Sequence, residues 1–473
     1  MASKTITTII KQCQIAPTGT RDELTEFSLP LNFLDMPWLP FHPLQRLLFY
    51  EFTSCSSTYF FETIIPSMKS SISLALGHFL PLSGNLIVPP TDNENTSIPK
   101  IRFVPGDTVS LTLAESKNLN YFIHRFHDHP RYAHEFYPFA PSLPKVTRSC
   151  THVTKVPLLA LQVTLFPNEG ICIGFANHHV AGDASTIIGF MRTWASIHKL
   201  GGGNIAHDLV PVLDRSVVKY PCELDSIYWN EIIKNVTKVE NFDESAAEVL
   251  IPPLDRVRAN FVISQEKIKI LKDLVISRLP RLVHVSSFTV TCAFVWTCLV
   301  KSRLMADREG TTDDDDEYFM CPVDCRGRLD PPLPATYFGN CLAPCIVELR
   351  RTELAGGSNE GFFKAAEAIG ERINKMVTNE NGIFGDADAW LSKLEVVMRK
   401  PGSVLGVSGS PKFDVYDTDF GWGIPKMFEN LSTSNGSMSL SKWRGLGGLE
   451  VGLSLPITQM DSLEIIFLGG LIS

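Results

Sequence analysis

Residues 171–184 read ICIGFANHHVAGDA, and the passage changes character twice. Ile171 to Ala176 (ICIGFA) is a short apolar run of buried-strand type. From Ala184 onward, Ile187, Ile188, Met191, Trp194, Ala195 and Ile197 fall on one broad face at helical spacing. Between the two lies the turn His178-His179-Val180-Ala181-Gly182-Asp183. Gly182 lets the chain reverse tightly, and Asp183 is placed to cap the helix, with Ser185 and Thr186 in its first turn. Upstream, Leu159 to Phe166 (LALQVTLF) reads as a strand and Pro167-Asn168-Glu169-Gly170 as a turn, which predicts a hairpin leading into the polar loop. Hairpin, loop and amphipathic helix in succession define an α/β or α+β chain.

The rest of the sequence extends that pattern. Phe288 to Lys301 (FTVTCAFVWTCLVK) is a buried helix or strand that spacing alone does not decide, and Phe362 to Met376 is an amphipathic helix. Three stretches read as exposed connections: 89–96, rich in Pro, Asn and Asp; Gly201-Gly202-Gly203-Asn204; and 307–317, which holds Asp313 to Asp316 and Glu317. With 473 residues, the expected division is two domains split near residue 205.

Composition excludes several classes. Hydrophobic residues make up 44% and charged residues 20%, as in a globular protein and unlike a disordered one. A net charge of −8 argues against nucleic acid and against an anionic membrane surface as partners. The opening MASKTITTIIKQCQIAP holds no apolar run of signal-peptide length, no run of about 18 apolar residues occurs, and the 11 cysteines are odd in number and scattered. These features set the expectation of a soluble, cytoplasmic chain. No GxxxxGK[ST] and no GxGxxG after a strand occurs, and Gly406-Val407-Ser408-Gly409-Ser410 lacks the last glycine of a nucleophile elbow, with no strong strand before it.

The HxxxD spacing of His179 and Asp183 is weak by itself, since a chain with 12 His and 25 Asp supplies about 0.6 such matches by chance. A second match, His124 and Asp128, sits in a histidine-rich stretch with His127, His129 and His134. It is broken by Pro130 and two arginines, lacks standard ligand spacing, and is read as a solvent-exposed segment with no metal expected. Cys321, Cys325, Cys341 and Cys345 are read as buried thiols, because zinc ribbons favour CxxC knuckles. The setting favours His179, which occupies a short loop after a buried strand. The N-terminus of the following helix disfavours imidazolium, and a neutral imidazole is what a general base at neutral pH must be. Asp419-Phe420-Gly421-Trp422-Gly423, two glycines around a tryptophan, reads as a structural corner with a buried indole.

Together, HHVAGD at 178–183 and DFGWG at 419–423 resemble the plant BAHD acyl-CoA-dependent acyltransferases, and the resemblance covers essentially the whole chain. Residues 29–52 (LPLNFLDMPWLPFHPLQRLLFYEF), Asp324 to Arg328 with the prolines after them, and Tyr337-Phe338-Gly339-Asn340-Cys341 agree with it. The last is similar to the YFGNC signature of the branch acting on anthocyanin, flavonoid and other phenolic glucosides. The resemblance implies an α/β, two-domain, chloramphenicol-acetyltransferase-like fold with mixed sheets and a channel between the domains. The N-terminal domain would be 1–205 with HHVAGD, the crossover 206–222, and the C-terminal domain 223–473 with YFGNC and DFGWG. His179 would be the general base. Asp183 would point away from the channel and pair with an arginine, Arg326 first and Arg328 second. Asp419, Gly421, Trp422 and Gly423 would be structural.

The implied reaction passes an acyl group from acyl-CoA, a co-substrate with no permanently bound cofactor beside it, to a sugar hydroxyl of a phenolic glucoside. It needs no covalent acyl-enzyme, and the chain is expected to act as a monomer. Lys267, Lys272, Ser410 and Lys412 are the expected CoA contacts, and Asp35 and Trp38 the expected acceptor-pocket residues. Malonyl-CoA is the leading donor, and a hydroxycinnamoyl-CoA such as coumaroyl- or caffeoyl-CoA is the alternative. A malonyl carboxylate calls for a cation near the catalytic turn. Some related malonyltransferases carry an arginine four residues after the motif aspartate, where this chain has Ile187, which leaves Arg192 or another segment to supply the charge.

Overall fold

The computed structural model describes residues 7–19, 24–90, 97–119, 123, 130–150, 153–202, 209–236, 252–306, 315–357, 359–400, 402–433, 436–444 and 447–470. The hairpin predicted from ICIGFA and LALQVTLF is present. Leu159–Phe166 and Gly170–Asn177 pair antiparallel, every residue of both is buried, and Asn168 makes the turn with a positive φ of 59°. It forms the middle of a six-stranded sheet in the order Thr8–Ile15, Val109–Glu115, Leu159–Phe166, Gly170–Asn177, Leu44–Glu51, Met427–Asn430. A five-stranded sheet (Phe27–Pro30, Lys100–Phe103, Asn85–Val88, Thr154–Pro157, Thr147–Arg148) completes the N-terminal half.

The C-terminal half is built on a seven-stranded mixed sheet in the order Leu342–Arg350, Asp316–Asp324, Val404–Ser408, Ser437–Lys442, Gly448–Pro456, Arg256–Ser264, Arg131–Tyr132. Two strands cross between halves. Met427–Asn430 closes the edge of the N-terminal sheet, and Arg131–Tyr132 pairs with Val257 and Arg258 in the C-terminal one. Arg258 fastens the exchange. Fully buried, it meets Glu429 at 2.6 Å and donates to Thr433 Oγ1 at 2.6 Å.

The helix after the loop runs Ala184–Lys199 and buries the whole predicted face, including Ile187, Met191 and Trp194. It packs on Ile65–His78, where Trp194 Nε1 donates to Ser71 Oγ at 3.1 Å. The ambiguous stretch around 288–301 is a helix, Ser287–Ala306, packed between Glu360–Val377 and Ile457–Gly469. It is long and apolar enough to cross a membrane, but 72% of its most apolar window is buried inside the protein, as a core helix requires.

Two local expectations need correction. The acidic run does not end in solvent. Asp316 begins a strand, and Glu317 is fully buried between Arg303 at 2.6 Å and Arg351 at 3.0 Å, whose charges offset its burial. Residues 307–314 lie outside the described residues. Ser408 does not follow a weak segment: it ends the strand Val404–Ser408, and its Oγ accepts from Asn430 Nδ2 at 2.9 Å. The four cysteines are buried free thiols, with Cys321 opposite Cys345 in an antiparallel ladder. Of the histidine-rich stretch, 124–129 lie outside the described residues and His134 is exposed.

Candidate active site

The loop leaves the sheet at Asn177, and His178 opens a single 3-10 turn, His179–Ala181. Gly182 then takes φ +148°, in the region that favours glycine. A Cβ there would lie 2.6 Å from Thr186 Cβ, so both conformation and space require glycine. Asp183 caps the helix as predicted, its Oδ1 accepting from the backbone N–H groups of Ser185 at 3.0 Å and Thr186 at 3.4 Å.

Asp183 does more than cap. It is buried, and its carboxylate receives both ends of the Arg326 guanidinium, Nη1 at 2.7 Å and Nη2 at 3.0 Å, and the N–H of Cys341 at 3.1 Å. Arg326 continues to the carbonyls of Tyr337 and Gly339. Burial pulls the guanidinium pKa down, but Asp183 outweighs this and holds it above its ordinary value. Arg328 is exposed and, among the described residues, its side chain bonds only its own turn, at the carbonyl of Asp324. The pair therefore joins the N-terminus of the loop helix to the Tyr337–Cys341 segment of the other half, a bidentate, geometrically fixed link.

His179 faces the other way. It is half-buried, with its ring stacked on Trp38 at 3.9 Å and 8° and Phe41 edge-on at 6.1 Å. Nδ1 is buried, which leaves Nε2 as the ring nitrogen on the open side. Burial pulls the imidazole down to about 3, and the nearby Arg46 adds to the shift. Hydrogen bonding to its own backbone carbonyl and to Asn340 opposes it. Near neutral pH the ring is uncharged.

Three residues that sequence reasoning did not single out as site residues hold this histidine in place. Asn340 Nδ2 donates to the His179 carbonyl at 3.1 Å and to Asp35 Oδ1 at 3.0 Å. Arg215, in the segment after the loop helix, places Nη2 2.9 Å from Asp35 Oδ2 and donates from Nη1 to the Tyr337 hydroxyl at 2.6 Å. Gly339, at φ +122°, leaves the room: a Cβ there would come within 2.2 Å of the Arg215 guanidinium. Asp35 is thus fully buried, and its carboxylate is occupied by Arg215 and Asn340. It has no surface with which to touch an acceptor, and its place is that of an anchor. Trp38 does border the histidine. The signal for this network lay in YFGNC, but Asn340 is 161 residues from His179, beyond any local pattern.

The DFGWG corner packs on the far end of the same helix. Asp419 Oδ1 accepts from the N–H groups of Gly421 at 2.7 Å and Gly423 at 3.0 Å, while Oδ2 meets Lys199 at 2.7 Å. Phe420 stands edge-on to Trp194 at 4.7 Å, and Trp422 stacks on Phe52 at 5.8 Å. Of the expected CoA contacts, Lys267 and Lys272 share the helix Gln265–Arg278, and Ser410 and Lys412 follow the strand Val404–Ser408. No ion pair engages the three lysines among the described residues, and no bond links them to the His179 loop. Arg192 is exposed and lies 3.8 Å from Asp417 on the surface, away from the turn.

A paired loop of this kind, with a neutral histidine at the open edge and a carboxylate locked to the opposite half, on this fold, defines an acyl-CoA-dependent acyltransferase. The comparisons agree. The model of the Transferase family matches residues 5–467. Phenolic glucoside malonyltransferase 1 of Nicotiana tabacum is 43% identical over 90% of this chain and 90% of its own. The malonyl-coenzyme A:anthocyanin 3-O-glucoside-6''-O-malonyltransferase of Dahlia pinnata is 41% identical over 98% and 97%. The crystal structure of vinorine synthase covers 98% of each chain with a TM-score of 0.68 at 19% identity, which supports the fold. The chain belongs to the BAHD acyltransferase family.

Proposed function

We propose that this protein transfers a malonyl group from malonyl-CoA to a sugar hydroxyl of a phenolic or flavonoid glucoside, with His179 as general base and no covalent acyl-enzyme. One observation carries the chemistry: an imidazole kept neutral by burial, held flat on Trp38, with Nε2 turned outward. The choice of donor and acceptor rests on the two malonyltransferases to which the chain is 43% and 41% identical.

A sugar hydroxyl is too weak an acid to ionise unaided. His179 Nε2 takes its proton as the oxygen attacks the thioester carbonyl carbon. The carbonyl electrons move onto oxygen, and a tetrahedral intermediate forms. Its collapse breaks the C–S bond, and the imidazolium returns the proton to the departing thiolate. The products are the malonyl ester and CoA-SH, and His179 ends neutral, as it began. The Trp38 stack holds the ring plane, and Asn340 holds the backbone of the base, so little reorganisation is needed at the moment of transfer. Lys267, Lys272 and Lys412, with Ser410, remain our candidates for the CoA phosphates.

The test is a thiol-release assay with a flavonoid glucoside acceptor and either malonyl-CoA or coumaroyl-CoA as donor. Malonyl-CoA is expected to give the higher kcat/KM. A higher value with coumaroyl-CoA would move the assignment to the hydroxycinnamoyl alternative, and no CoA release from either would end both.

A further inference from the structure

Arg46, like Arg256, is a buried arginine that meets no carboxylate among the described residues, and of the two it is the one bonded beside the His179 loop. It lies on the central strand Leu44–Glu51 and is only 7% exposed. Arg258, Arg326 and Arg215 each hold a carboxylate, at 2.6, 2.7 and 2.9 Å. Arg46 holds none among the described residues. Its single side-chain hydrogen bond among them runs from Nη1 to Asn177 Oδ1 at 3.0 Å, and its guanidinium lies 5.9 Å from the Phe175 ring centre. Asn177 is two residues before His179, and the charge of Arg46 is felt at the His179 ring. A buried cation with a neutral amide and a ring for company is costly unless an anion joins it. Burial pulls its pKa down to about 10.

We propose that Arg46 is the specificity-determining cation of the donor site: its unused guanidinium N–H groups receive the free carboxylate of the malonyl group while His179 faces the thioester end. This rests on the malonyl reading given above and supplies the charge that Ile187 and the surface-bound Arg192 do not. A guanidinium can bind a carboxylate bidentately, so it orients the acyl chain as well as attracting it. Neutralising Arg46 also removes a repulsion that opposes protonation of His179, so a correctly charged donor strengthens the base that will act on its co-substrate.

The test compares malonyl-CoA with acetyl-CoA, which lacks the carboxylate, using the purified chain and a flavonoid glucoside. In Arg46→Gln the ratio of kcat/KM for malonyl-CoA to that for acetyl-CoA is expected to fall about 30-fold or more, as loss of a buried charge-assisted pair implies. Arg46→Lys, which keeps the charge without the fork, should recover part of the ratio. An unchanged ratio in both variants overturns the role of Arg46 and leaves the malonyl reading standing. Failure of the unaltered protein to use malonyl-CoA overturns that reading instead. Should Arg46→Gln not fold, the unaltered protein is assayed with the methyl ester of malonyl-CoA. A kcat/KM equal to that of malonyl-CoA would show that no cation reads the carboxylate, and a loss of about 30-fold or more supports one.

Discussion

His179→Ala is expected to lower kcat by about 100- to 10,000-fold, the usual worth of a positioned general base, while leaving the melting temperature close to that of the unaltered protein. Because burial depresses the imidazole to about 3, the kcat profile should show no inflection near the ordinary histidine value of about 6.5. A limb there, absent in a thermally stable His179 variant with residual activity, would contradict the neutral-base assignment. His178 gives the matching stability prediction. It is fully buried, its Nδ1 accepts from the Val180 N–H at 3.3 Å, and burial holds its pKa near 3. The unfolded chain takes up a proton below about pH 6.5 that the folded chain refuses, so stability falls as pH drops from about 6 toward 3. The slope from this one residue approaches about 1.4 kcal/mol per pH unit, and His178→Asn should remove that share in denaturant titrations at pH 7 and pH 5. His179 and Asp183 were legible because the loop that carries them is contiguous and flanked by clear strand and helix patterns. Asn340, Arg215 and Arg46 were not, because each earns its place through contacts made between distant parts of the chain.

At the scale of elements, the loop helix is gripped at both ends. Its first turn is tied by Asp183 to Arg326, and its last by Lys199 to Asp419. Asp183→Asn leaves Arg326 without its main buried counter-charge and should destabilise the fold by about 3–5 kcal/mol in urea unfolding. Lys199 and Asp419 are partly exposed, so Asp419→Asn should cost under about 1 kcal/mol from the lost ion pair. Gly421→Ala forces a side chain onto φ +96° and should cost about 1–3 kcal/mol while leaving KM for the acceptor unchanged, as a structural corner requires. The hairpin, the loop helix and the helix Glu360–Val377 followed from periodicity. The strand Val404–Ser408 did not, because a strand of five residues with a glycine in it carries little pattern. Glu317 escaped for a different reason: acidic runs read as solvated, and only the folded chain brings Arg303 and Arg351 to it.

Across the whole molecule, the exchanged strands Met427–Asn430 and Arg131–Tyr132 and the Arg258–Glu429 pair make each half a part of the other's sheet. Calorimetry should therefore show one unfolding transition, and Arg258→Ala should lower its midpoint without splitting it, because it leaves Glu429, on the strand lent to the N-terminal sheet, buried without the cation of the C-terminal sheet. Two transitions in the unaltered protein would mean that the halves fold independently. The exchange was not legible in the chain, since a strand of four residues at 427–430 gives no sign of which sheet it joins. This interlocking also places the His179 loop of one half against Tyr337–Cys341 of the other, so the candidate site exists only in the assembled molecule. The most direct measurement of the central claim is mass spectrometry of the acceptor after incubation with malonyl-CoA and a flavonoid glucoside. A glucoside heavier by one malonyl group is expected, with free CoA formed in equal amount and both formed about 100-fold or more slowly by His179→Ala. An unchanged acceptor, or product formed equally well by His179→Ala, would contradict the claim.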